Sequence, residues 1–166
     1  MVAITPGSNA SFKSATAEGL LLEVITYLQN QERNTISNPT NRDLIKLSYN
    51  LDSLTAIGSF SIPATQSIND AGQIILVGTD YLQNVPFSPG DGGTFKSTSL
   101  SQYFLEIVAF LQIKESDVLK NPNSENNVFS AYDADDKISS GTINLPLTVS
   151  FDDSGHPVIS AKEYLL

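Results

Sequence analysis

Residues 89–98, PGDGGTFKST, come within one residue of the pattern G-x-x-x-x-G-K-[ST], whose backbone N–H groups curl around nucleotide phosphates. Gly90, Lys96 and Ser97 supply the first glycine, the lysine and the hydroxyl, but Phe95 stands where the second glycine must be. Without glycine just before the lysine, the backbone cannot wrap a phosphate. No strong β-run leads straight into the stretch, and no aspartate ends an apolar strand to complete a nucleotide site. The stretch also has a twin, residues 7–14, GSNASFKS, in which most of the glycines are gone and the phenylalanine is kept. Phe12 and Phe95 therefore read as apolar anchors that fix the entry of a helix, and the loop as construction rather than catalysis.

The other groups able to do chemistry are scattered. The run Asp133-Ala134-Asp135-Asp136-Lys137 invites a calcium reading, yet an EF-hand loop needs an oxygen ligand where Lys137 sits and glycine where Ile138 sits. A solvated acidic turn is the better reading. His156 is the single histidine, directly after Gly155 in a turn, and there is no cysteine, so zinc ligation and Ser-His-Asp or Cys-His catalysis lack their parts. Eighteen acidic residues allow many carboxylate pairs, and no spacing selects one. Lys13 and Lys96, Glu23 and Glu106, Gln29 and Gln112, Tyr49 and Tyr132, and Asp52 and Asp135 could do chemistry and recur as identical pairs. Most have a structural use in a repeated unit. No catalytic residue, metal ligand or cofactor is assigned, and no ligand-binding residue is singled out.

The element that must position these groups is written twice. Displaced by 83 residues, the chain aligns with itself without a gap, and 23 of 83 positions are identical. Ordinary residue usage gives roughly one in sixteen. Many of the rest exchange like for like, such as Val24-Ile25 with Ile107-Val108 and Tyr27 with Phe110. The expectation is a tandem duplication of one small α+β unit, residues 1–83 and 84–166, the two together making one globular domain.

Within the unit, apolar residues at 17, 20, 21, 24, 25 and 28 carry the i, i+3, i+4, i+7 signature of a helix over 15–33, matched at 98–115. Ser14 or Thr16, and Ser97 or Ser99, are the candidate N-caps, with Ser99 and Gln102 in capping-box spacing. Glu23 and Glu106 fall on the polar ridge and are expected to face solvent. Asn38-Pro39 and Asn121-Pro122 close the helical region. Short strands follow near 43–50 and 127–133. Ile143, Leu145, Leu147, Val149 and Phe151 then alternate without a break, as Phe60, Ile62, Ala64 and Ile68 do around Gln66, marking strands with one buried face. Turns at 69–72 and 152–155, each closing on glycine, lead into returning strands at 73–79 and 157–162. Short strands at 2–4 and 85–87 would precede each unit. Pro63 and Pro146 interrupt the long strands on their polar face and predict a bulge or an unpaired edge.

One unit's single helix covers only part of such a sheet, so the fold expected is α+β. Its mostly antiparallel sheet of six to eight strands carries two helices packed on one face, with pseudo-twofold symmetry. Separate α+β lobes are the alternative. A net charge of −9 argues against nucleic acid and anionic membranes as partners. The residues up to 83 carry net −3 and the rest net −6. The first residues show no basic segment followed by an apolar one, and no apolar run approaches a membrane span, so a cytoplasmic protein is expected. With no catalytic constellation, the functional expectation is a non-enzymatic protein-interaction module, binding a protein partner or itself. The alternative is a small-molecule-binding protein with its pocket at the interface of the two repeats, lined by Tyr27, Tyr103, Phe104 and Phe110. An enzyme ranks last.

Overall fold

The computed structural model describes residues 4–34, 44–82, 85–117 and 127–164. Helix α1 (Ala17–Asn34) leads into strands β1 (Ile45–Asn50), β2 (Thr55–Ile68) and β3 (Ile74–Gly78). Helix α2 (Leu100–Asp117) leads into β4 (Val128–Asp133), β5 (Ile138–Phe151) and β6 (Pro157–Ala161). Every bound in the second set lies 83 residues beyond its counterpart in the first.

Local chemistry accounts for the boundaries. The Thr16 hydroxyl accepts the Gly19 N–H at 3.0 Å and the Ser99 hydroxyl accepts the Gln102 N–H at 3.3 Å, so Thr16 and Ser99 cap the helices. The reciprocal half of the capping box is missing: the Ser99 N–H goes to the Ser97 hydroxyl, and the Gln102 side chain is used elsewhere. The Asn-Pro pairs lie outside the described residues, as do Val2 and Ala3. Residues 85–87 form no strand; farther along the two entry segments, Ser8 and Asp91 make a lone antiparallel bridge. At the hairpins, Gly72 and Gly155 have φ of 78° and 84°, and the side chains of Asn69 and Asp152 accept the turn N–H groups.

The six strands form one antiparallel open sheet that crosses both halves, in the order β1-β2-β5-β4, with β3 on β2 and β6 on β5. A single sheet excludes the separate lobes. At its centre Thr55 pairs with Pro146 and Pro63 with Ile138, a register that maps onto itself when the halves are exchanged. The prolines are explained by hydrogen bonds alternating along a strand. Ser61 donates to Leu44 before β1, and two residues on the Pro63 carbonyl accepts from Thr79 after β3. So β1 and β3 lie end to end along one edge of β2, and Pro63, which has no N–H, sits at the gap between them. Pro146 does the same between β4 and β6, accepting from Lys162.

One face of the sheet is buried through Ile45, Ala56, Phe60, Ile62, Ile143, Leu145 and Leu147, and both helices lie on it. Ile57 and Phe129 mark the other, exposed face. A single core cluster runs through both halves, with Phe60 edge-on to Phe104 at 5.0 Å.

Candidate functional site

The two phenylalanine-bearing loops, 7–14 and 89–98, meet each other. Ser8 and Asp91 exchange backbone bonds of 2.8 and 2.9 Å, and the Thr94 N–H goes to the Thr5 carbonyl. These N–H groups are spent on protein acceptors, which leaves them unable to wrap a phosphate. Phe12 and Phe95 are both buried; Phe12 packs against Tyr27, Phe87 and Tyr103, and Phe95 against Tyr103 and Phe110.

The identical pairs do not converge on one place. Glu23 and Glu106 are half-buried rather than solvent-facing: each accepts the backbone N–H of its own loop lysine, Lys13 at 3.1 Å and Lys96 at 3.2 Å. The carboxylate is drawn inward because it holds that loop to the helix. Gln112 accepts from Ser130 at 2.6 Å, whereas the counterpart of Ser130 in the first half is Leu47, which has no hydroxyl to offer Gln29. Asp52 and Asp135 sit in exposed turns whose N–H groups are taken by Asn50 and Asp133. His156 is exposed, 3.5 Å from Asp152. Among the described residues, no three His, Cys, Asp or Glu side chains gather to hold a metal, and no helix is long and apolar enough to cross a membrane.

Two carboxylates outside the candidate pairs, Glu32 and Glu115, each take several bonds. Glu32 Oε1 accepts from the N–H groups of Leu44 and Ile45 at 3.0 and 3.2 Å and from the Tyr81 hydroxyl at 2.8 Å. Glu115 Oε1 accepts from Val128 at 3.1 Å and from the Tyr164 hydroxyl at 2.6 Å. Each clasp ties the end of a helix to the start of the next strand and to the chain beyond the last one. Burial pushes the Glu115 carboxyl above its ordinary value, against the bonds from Tyr164 and Val128. A carboxyl raised in this way stabilises the fold most below its unfolded value of about 4.3, and that contribution is lost as pH rises through the folded value. Glu115→Gln keeps an acceptor oxygen and removes the titration. The stability of wild type relative to this variant is therefore expected to fall as pH rises from 4 towards 7, read from urea midpoints at each pH. A pH-independent difference rejects the assignment.

The tyrosines titrate in the opposite range. Burial, then the charges of Glu106 and Glu23, push Tyr103 up to about 12. Burial first, and then the bonded glutamates, push Tyr81 and Tyr164 up as well. Unfolded tyrosine ionises at about 10, so these groups stabilise the fold below that pH, and the contribution is lost as pH climbs through their folded values. In a spectrophotometric titration of the six tyrosines, three are expected to ionise only with unfolding. Six ionising together near 10 with the fold intact is the contrary result.

Two surface features remain. The first is a pair of arms. Because β2 and β5 overlap only over 55–63 and 138–146, residues 64–68 with β3 overhang one end of the sheet and residues 147–151 with β6 overhang the other. The apolar face expected along the full length of β2 and β5 is buried only as far as Ala64 and Leu147. Beyond them the same face carries the cross-strand pair Ile68–Ile74, 72% and 70% exposed, in one arm and Phe151, 70% exposed, opposite Pro157 in the other. Ile75 and Val158 are exposed on the reverse side. The second feature is an open groove of about 760 Å3 between α1 and β6, over which Tyr49 hangs. Of the aromatics expected to line a pocket, Tyr27 is in this groove, Tyr103 and Phe104 are buried, and Phe110 packs on Phe95 in the other half.

No protein family, curated protein or solved structure matches the chain.

Proposed function

We propose that this chain is a tandem duplication, residues 1–83 and 84–166, folded with pseudo-twofold symmetry into one domain, and that it is a non-enzymatic module that associates with copies of itself through its two arms. The equal offset of every element and the self-mapping register of β2 on β5 support the duplication. One observation carries the function: the apolar alternation of β2 and β5 runs on into ribbons whose outer ends, at Ile68, Ile74 and Ile75 in one arm and Phe151 and Val158 in the other, are exposed on both faces. A two-stranded ribbon is marginally stable in water, and exposed apolar residues in register along one face are a surface to be covered. The arms overhang opposite ends, so each copy is bivalent, and the like apolar chemistry of the two arms lets one pack on another.

The experiment is gel filtration with light scattering across micromolar concentrations. Concentration-dependent dimers or larger species are expected. A strict monomer that captures no partner overturns the reading. The groove favours a second reading, ligand binding at the junction of the halves, and its chemistry can be made specific.

A further inference from the structure

We infer that the groove between α1 and β6 binds a primary carboxamide, presented as the side chain of a glutamine on a partner polypeptide. The second half of the chain shows what fits there, because it fills the equivalent place itself. Gln102, in the first turn of α2, accepts the Gly78 N–H with Oε1 and donates from Nε2 to the Leu76 carbonyl at 3.1 Å. Its amide thus pairs with the outer edge of β3 as one residue of a neighbouring strand would. The approach is close: a Cβ at Gly78 would lie 2.9 Å from the Ser101 carbonyl carbon and 3.0 Å from the Gln102 nitrogen, so glycine is required there.

At the groove, where α1 faces β6, both residues are exchanged. Gly19 stands where Gln102 stands, and Ala161 where Gly78 stands. The helix has lost the amide, and the strand has gained the methyl group that holds it off the helix. These changes do not compensate each other; they open the groove. Its wall is β6, whose Ala161 N–H and Ile159 carbonyl are the counterparts of the two groups that Gln102 satisfies. Lys162 donates inward to Pro146, so by the alternation of the strand the Ala161 N–H points outward. Among the described residues, no side chain bonds to either group. A second closing contact is also absent. The Tyr132 hydroxyl reaches across to the Ala64 carbonyl at 3.1 Å, whereas Tyr49 is 43% exposed at the rim of the groove.

The lining selects the ligand further. Glu23 lines the groove and disfavours a carboxylate beside it, while Ser14, Thr16 and Asn30 offer polar contacts to a neutral amide. A volume of about 760 Å3 far exceeds one carboxamide, and the adjoining strand edge is a surface along which an extended polypeptide lies. The inference does not depend on assembly through the arms.

The test is an amide-resonance titration of the full labelled chain with a tripeptide, Ala-Gln-Ala, bearing acetyl and N-methylamide ends. Saturable shifts are expected at Gly19 and Ala161. The Ala-Glu-Ala analogue, which lacks the N–H donor, and acetamide, which lacks the chain, are each expected to bind about tenfold more weakly or worse. Gly19→Gln supplies the amide internally, as Gln102 does. Its Cβ would lie 2.2 and 2.7 Å from the hydroxyls of Ser14 and Thr16 and 3.2 Å from Ser14 Cβ, side-chain atoms that have to shift. Ser97 and Ser99 stand at those places beside Gln102, where Ser99 still caps the helix at 3.3 Å. This variant is expected to fold, to slow hydrogen exchange at the Ala161 N–H, and to lose the tripeptide. Equal binding of the glutamate peptide, or undiminished binding to Gly19→Gln with exchange at Ala161 slowed, overturns the carboxamide. Acetamide binding as tightly as the tripeptide overturns the polypeptide as its source.

Discussion

Glu32→Ala is expected to lower folding stability by about 3–5 kcal/mol, a large part of the 5–15 kcal/mol that holds an ordinary domain together. The carboxylate is 6% exposed, and a single oxygen serves two backbone N–H groups and the Tyr81 hydroxyl. Truncation strands all three donors where water has little access, and each stranded donor keeps its full desolvation cost. Glu32→Gln keeps an oxygen in place and loses only the charge, so its cost is expected to be about 1 kcal/mol. Urea unfolding separates the two: the midpoint of Glu32→Ala falls with the slope unchanged, and that of Glu32→Gln falls far less. Equal losses from both variants would show that charge, not acceptance, is what the clasp uses. A loss from Glu32→Ala below 1 kcal/mol would show that water reaches the stranded donors.

That clasp was legible in the sequence and was passed over. Glu32 follows Leu21, Ile25 and Leu28 on the apolar stripe of its helix, and it recurs as Glu115. A carboxylate on a buried stripe needs a partner, and Tyr81 and Tyr164, also recurrent, were the available hydroxyls. Periodicity singles out Glu23 and Glu106 on the polar ridge instead, because it reports which way a helix faces and is silent about loops that fold back over it. The loop of Lys13 does fold back, and it turns an expected solvent residue into a half-buried acceptor. Strand order was inaccessible for a related reason. Alternation gave β2 and β5 their buried face, but only the register shows that they pair with each other over nine residues and part company beyond.

The groove illustrates a different limit. Gly19, Gln102, Gly78 and Ala161 are ordinary residues read singly. Their meaning lies in the exchange of large for small on a helix together with small for larger on the facing strand. That exchange becomes visible only when β3 is seen against α2 and β6 against α1. Differences between the halves, not their identities, mark where the two junctions diverge in shape.

Replacing Ile68 and Phe151 together by serine is expected to abolish self-association and leave the isolated fold nearly as stable as before. Both side chains are at least 70% exposed, so the monomer loses little burial, and a change within about 0.5 kcal/mol is expected in its unfolding free energy. In the proposed assembly the same groups are covered. Full burial of an isoleucine or phenylalanine side chain is worth about 1.5–3 kcal/mol, so an interface that loses both should weaken roughly hundredfold or more. The opposite ends of the sheet make the single variants informative. Because each arm is one of two, Ile68→Ser alone should cap growth at one end and shift larger species towards dimers, as Phe151→Ser alone should at the other. Light scattering reads the masses, and thermal unfolding reads the fold. A double variant that assembles like wild type removes the arms from the interface. One that unfolds with a loss of several kcal/mol shows that the arms are covered by their own chain, and association through them is then excluded.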